Sequence, residues 1–245
     1  MSERRNTISL SRNIKAISNN SICGSGSSIS DYIKDPGSAI THFIGFIAAL
    51  ISLPFLIIHY IRRGADMISL LSVIIFAFSM MLLYAASTLY HTLVLPRDKE
   101  LIFKKVDHLM IFILICGSYT PVCLTILRDK GGIPLLILVW SIAILGMIFK
   151  LFWVTCPKWL SSIIYVSMGW LCLLAFPQIL SEMDFRGFLF LLIGGIAYTV
   201  GGIIYAMKFK KLNEISPYFG SHEIFHVFVL VGNALHFVSI FEYLL

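Results

Sequence analysis

Apolar residues along the chain fall in long blocks rather than in stripes. Seven such blocks can be drawn, at roughly 38–60, 67–95, 106–127, 133–151, 160–180, 187–207 and 218–244. Each is near the ~20 residues that carry a helix across a bilayer core at ~1.5 Å per residue. None shows the strict alternation of a barrel strand, and the blocks are too long for one, so the pattern predicts helices throughout. Between them lie IRRGAD, PRDKELIFKK, RDKGG, TCPKW, SEMDFR and KFKKLNEISP. These hold the Gly, Pro and charge that hydrocarbon excludes. The expectation is an all-α, seven-transmembrane helical bundle over residues 36–245, preceded by a flexible basic and Ser-rich tail over 1–35.

Composition agrees with lipid as the solvent: 58% of the 245 residues are hydrophobic and 13% charged. A soluble domain has about 45–50% apolar and about 25% charged residues. The N-terminus lacks the apolar core of a secretory signal. Lys and Arg divide unevenly between the two sets of connections, fourteen on the side of the N-terminus and five on the other. Positive charge marks the cytoplasmic face. The N-terminus is therefore expected inside, the C-terminus outside, and the protein in the cell (cytoplasmic) membrane. The net charge of +6 reads as topology and not as a nucleic-acid footprint. The five cysteines, Cys23, Cys116, Cys123, Cys156 and Cys172, form no CxxC pair and are read as free thiols, most of them in or beside apolar segments.

Ionisable groups inside a membrane are expensive and default to functional hypotheses. His91 lies near the end of the second block, Asp107 opens the third, and His222 and His226 open the seventh. In the expected topology all four share one, cytoplasmic, depth. His222 and His226 are i and i+4, so their rings project from one face. With His91 they make a three-nitrogen set with an open fourth position, which zinc accepts. Ser87 stands one turn before His91 and looks into the same site. Asp107 is placed to hold a water or to orient a histidine. His59 and His108 read as helix-bridging residues. His42 and His236 stay open, between bridging helices and lining a polar cavity with Asn233.

The string His222–His226 also reads HExxH, in which Glu223 would be a protease base. Glu223 lies about 100° around the helix from His222, and no third-ligand motif of that class follows. Pro54, Pro121 and Pro177 are expected to kink their spans. Ala197 and Gly201, in GGIAYTVGG, suit close helix packing.

These residues resemble the haemolysin III family and, through it, the progestin and adiponectin receptor group. The matching stretches are AITHFIGF, the SxxxH of Ser87–His91, VDH at Val106–His108, GSYTP at Gly117–Pro121 and SHEIFHVFVLVGNALHF at Ser221–Phe237. The resemblance implies seven helices with the N-terminus inside and zinc at His91, His222 and His226. It also implies that Asp107 meets zinc through water and that Ser87 is the motif serine. The related alkaline ceramidases suggest hydrolysis of a lipid amide. The expected function is a zinc-dependent lipid amide or ester hydrolase with a membrane lipid as substrate or ligand. Alternatives are a haemolysin-type membrane-damaging or pore-forming protein, or a lipid sensor, with structural zinc; an intramembrane zinc protease is a weaker fourth.

Overall fold

A computed structural model describes residues 32–207, 209, 214, 216 and 219–245. Most of the expected tail, with Cys23, and most of KFKKLNEISP lie outside the described residues.

Among the described residues there are helices and connections but no strand. Helix α1 spans Pro36–Arg62, α2 Met67–Thr92 and α3 Arg97–Leu124. After a tight turn at Arg128–Gly132, α4 runs Ile133–Phe152. The next rod is composite: α5 Lys158–Gly169, a 3-10 stretch Trp170–Ala175 and α6 Phe176–Glu182. Helices α7 (Phe185–Met207) and α8 (Ser221–Tyr243) complete the chain.

The ends follow local chemistry. Pro36 opens α1, where its missing N–H is no loss. The chain leaves α1 through Gly64, whose φ of 73° suits a residue without Cβ. Asp66 caps α2 by accepting from the Ser69 N–H at 2.9 Å.

Among the described residues, six helical rods are long and apolar enough to cross a membrane: Pro36–Arg62, Met67–Thr92, Arg128–Phe152, Lys158–Glu182, Phe185–Met207 and Ser221–Tyr243. Helix α3 stands where the third block was expected but begins nine residues earlier, at Arg97. PRDKELIFKK, read as a connection, is helical from its second residue on. Lys, Glu, Leu and Arg are good helix formers, and Asp98 and Glu100 suit the positive N-terminal end.

The bundle is apolar outside and carries its polar groups within. On α1 the buried face is Ser38, Ala39, His42, Gly45 and Ala49, while Ile40, Phe43, Ile44, Ile51 and Phe55 are exposed. In water each such side chain would forgo roughly 1.5–3 kcal/mol of burial; in lipid it forgoes nothing comparable. Helix α1 packs on α2, α2 on α3 and α3 on α4; α5 packs on α7, α7 on α8, and α8 returns to α1. The α7–α8 contact uses the small residues of α7. A Cβ at Gly201 would lie 2.7 Å from Phe228 Cβ, and one at Gly194 would strike His236.

The break in the fifth rod has a visible cause. The Tyr119 hydroxyl of α3 enters the helical ladder, donating to the Gly169 carbonyl at 2.6 Å and accepting from the Cys172 N–H at 2.8 Å. A hydroxyl so placed takes over groups that would otherwise pair along the helix. Pro177 sits at the first turn of α6, just after this break rather than inside an unbroken span.

Candidate metal centre

Three imidazoles meet at one end of the bundle. His91 comes from the last turn of α2, and His222 and His226 from the first turns of α8. His91 and His226 are each only 2% exposed. Their candidate ligand nitrogens all lie within 4.8 Å of one another, and His91 Nε2 stands 3.2 Å from His222 Nε2. The three histidines form a group that could hold a metal ion. Two nitrogens on a tetrahedral zinc at ~2.0–2.1 Å stand roughly 3.3 Å apart, close to the observed His91–His222 separation. The buried Nδ1 atoms of His222 and His226 have no hydrogen-bond partner among the described residues.

His91 is held from outside by a residue the sequence did not single out. Asp35 Oδ2 lies 2.9 Å from His91 Nδ1. A carboxylate only accepts, so Nδ1 carries the hydrogen and leaves the Nε2 lone pair for the centre. The Asp35 N–H also donates to the His91 carbonyl at 2.9 Å, so backbone and side chain bracket one residue. The His91 hydrogen bond holds the Asp35 carboxyl below its ordinary range, against the opposing effect of partial burial. Next to it, Lys34 Nζ reaches Glu100 at 2.7 Å and lies 3.6 Å above the Tyr90 ring. That pins the segment to α2 and α3. The sequence offered one usable signal, an acidic residue just before the Pro that opens α1.

Ser87 and Asp107 come to the same place. Both are buried, and both line a cavity of about 230 Å³ together with His42, His222 and His226. The Ser87 hydroxyl has no partner among the described residues. Asp107 Oδ2 lies 3.2 Å from His108 Nδ1. The cavity passes the 3-10 break at Trp170–Leu173 and reaches Ile179 and Phe188, far along the bundle, with a lining that is overwhelmingly apolar. It is slightly smaller than the ~300–1,000 Å³ of most small-molecule sites.

Of the remaining candidates, His42 lies against the site and the others are taken up in other contacts. His42 stacks on His226 with ring centroids 3.7 Å apart, and neither of its nitrogens has a partner among the described residues. Asn233 accepts from Tyr198 at 2.6 Å and donates to Tyr84, joining α8 to α7 and α2. His236 Nε2 meets the Leu191 carbonyl at 3.2 Å. His59 stacks on Phe241 near the other end of α1. Glu223 is occupied at both oxygens: Ser38 donates to Oε1 at 2.6 Å and the Gly220 N–H to Oε2 at 2.8 Å. It caps α8 and ties it to α1, which is not the posture of a general base.

Comparison with known proteins places this architecture. Residues 30–237 match the family model described as haemolysin-III related. The chain belongs to that family. It is 39% identical over 210 residues to a hemolysin-3 homolog of Bacillus subtilis (strain 168), covering 86% of this chain and 94% of that one. It is 38% identical over 218 residues to hemolysin-3 of Bacillus cereus, covering 89% and 95%. A more distant relative is the human monocyte to macrophage differentiation factor, 27% identical over 176 residues and 69% of each chain. Family and apolar helices together make this a multi-pass integral membrane protein.

Proposed function

We propose that this haemolysin III-related protein is a zinc-dependent hydrolase of lipid amides or esters. One observation carries the reading: three imidazoles converge, His91 and His226 buried and His222 partly so, and two of them, His222 and His226, also line a long apolar cavity inside the bundle. The donor set suits zinc, with three nitrogens and no thiolate among them. When bound, zinc supplies Lewis acidity, polarising a carbonyl and lowering the pKa of water to about 7. His91, His222 and His226 hold the ion, and Asp35 keeps His91 in the tautomer that can do so. The apolar cavity takes the acyl chain and excludes water from it. Asp107 accepts the proton of the attacking water, and Ser87 donates its unpaired hydroxyl to the oxygen of the scissile carbonyl.

The reading includes α3 as a seventh span, the N-terminus in the cytoplasm and the centre beneath the inner headgroups of the cell membrane. The Lys and Arg imbalance supports that orientation. Purified full-length protein in lipid is expected to release fatty acid from a panel of lipid amides and esters. His226→Ala abolishes the release.

The second reading takes its support from the names of the Bacillus relatives: a haemolytic protein in which the metal is structural. No turnover across the panel by zinc-loaded protein, with liposome leakage that survives zinc removal, would favour it. Activity lost in Glu223→Gln and kept in Asp107→Ala would instead favour a protease.

A further inference from the structure

Away from the histidines, a second reactive cluster lies where α4 ends and α5 begins. Lys150 is fully buried, at 0% exposure. Its Nζ lies 3.1 Å from Cys156 Sγ and 2.6 Å from Ser161 Oγ, and those two atoms are 3.3 Å apart. The three heteroatoms form a closed triangle, and neither partner of the lysine is a carboxylate. Cys156 is a free thiol at 7% exposure in the short connection after α4, within reach of a molecule as small as a peroxide. The sulfur is the nucleophile of such a pair toward peroxides, and the amine held against it is a second one. Nothing in the proposed hydrolysis uses these residues.

We propose that Lys150 and Cys156 form a reducible covalent crosslink when the protein meets hydrogen peroxide. The Cys156 sulfur attacks one peroxide oxygen, the O–O bond breaks, and the departing hydroxide leaves as water with the proton shared by the pair. Cys156 is then a sulfenic acid, oxidised by two electrons, and the peroxide is reduced by two. The Lys150 nitrogen attacks the sulfenic sulfur, an N–S bond forms, and the S–O bond breaks. The hydroxide leaves as a second water with a proton from nitrogen. In sum one thiol, one amine and one peroxide give one sulfenamide and two waters. Sulfenic acids condense with nitrogen in this way when one is held against them. Ser161 touches both atoms and relays the proton from nitrogen to the departing oxygen. The bond would tie the end of α4 to the entry of α5. Tyr165, whose ring centroid lies 5.8 Å from Nζ, also walls the apolar cavity.

The test is peptide mapping of the full-length protein after treatment with hydrogen peroxide and alkylation of remaining thiols. The expected result is a linked peptide pair joining Lys150 to Cys156, lighter than the two peptides by two hydrogens and released by dithiothreitol. The pair is lost in Lys150→Arg, which keeps the charge, and in Cys156→Ser. In Ser161→Ala it forms roughly 10²-fold more slowly, the low end of what a positioned proton-transfer group contributes. A Cys156 that stays a thiol, or that reaches sulfinic or sulfonic acid while Lys150 remains a free amine, would overturn the proposal. A linked pair carrying an added oxygen would overturn the direct N–S condensation. These readings come from the wild-type chain, so a poorly folding variant does not decide the outcome.

Discussion

At Asp35 one carboxylate acts through another residue. It accepts from His91 Nδ1, its own N–H bonds the His91 carbonyl, and the neighbouring Lys34 is anchored on Glu100 and Tyr90. Outer partners of a ligating histidine typically contribute 10–100-fold to metal affinity. Asp35→Ala is therefore expected to weaken zinc binding about 10–100-fold while the three ligands remain, as read by competition with a chelator. Unchanged affinity would reduce the contact to a helix cap. Glu223→Gln keeps both of its contacts in outline and is expected to leave zinc content and lipid turnover near wild type, whereas Asp107→Ala removes turnover and keeps the metal. His91, His222 and His226 were legible in the sequence because spacing and topology both constrain them. Asp35 was not, because its partner lies 56 residues away and nothing local marks the contact. Lys150 was missed for a similar reason: a lysine at the end of an apolar block reads as an interfacial charge until its neighbours are known.

Helix boundaries show the same division between local and distant causes. The apolar blocks located the rods to within a few residues where Pro, Gly or a capping Asp marks the end. The start of α3 was misplaced because hydropathy marks where lipid contact begins, while the helix continues into charged residues that favour it. The 3-10 break in the fifth rod lies in the turn before Pro177, which marked its place locally, whereas the Tyr119 hydroxyl that enters it comes from another helix and was not legible. Tyr119→Phe removes that hydroxyl and leaves the Cys172 N–H and Gly169 carbonyl without it. A loss of about 1–3 kcal/mol in unfolding free energy is expected, with faster hydrogen exchange at Cys172; unchanged exchange there would remove the hydroxyl as the cause. Between α7 and α8 the small-residue spacing was legible and the packing follows it. Gly201→Val should cost about 1–3 kcal/mol by overpacking against Phe228. On the loop side, Asp66 accepts from Arg128 and Ser69, and the Arg128 guanidinium holds its carboxyl well below the usual range. A depressed folded-state pKa contributes stability above the ordinary carboxylate pKa and loses it as pH falls through the folded value. Asp66→Asn should thus be less stable than wild type at neutral pH, with the gap closing in strong acid.

Across the whole molecule, polarity is inverted relative to a soluble protein, and this decides where chemistry can sit. Buried histidines and tyrosines bond between helices or face one elongated cavity, while isoleucine, leucine and phenylalanine cover the outside. A metal centre at one end of such a cavity can meet the polar end of a lipid whose chain lies along the bundle. The central claim is that His91, His222 and His226 together bind one zinc ion. X-ray absorption at the zinc edge, with metal analysis of the purified full-length protein, tests it most directly. The account predicts about one zinc per chain, three imidazole nitrogens at about 2.0–2.1 Å and no sulfur ligand, all lost in His226→Ala. Wild-type protein with no more zinc than His226→Ala, or a shell containing sulfur, would contradict it.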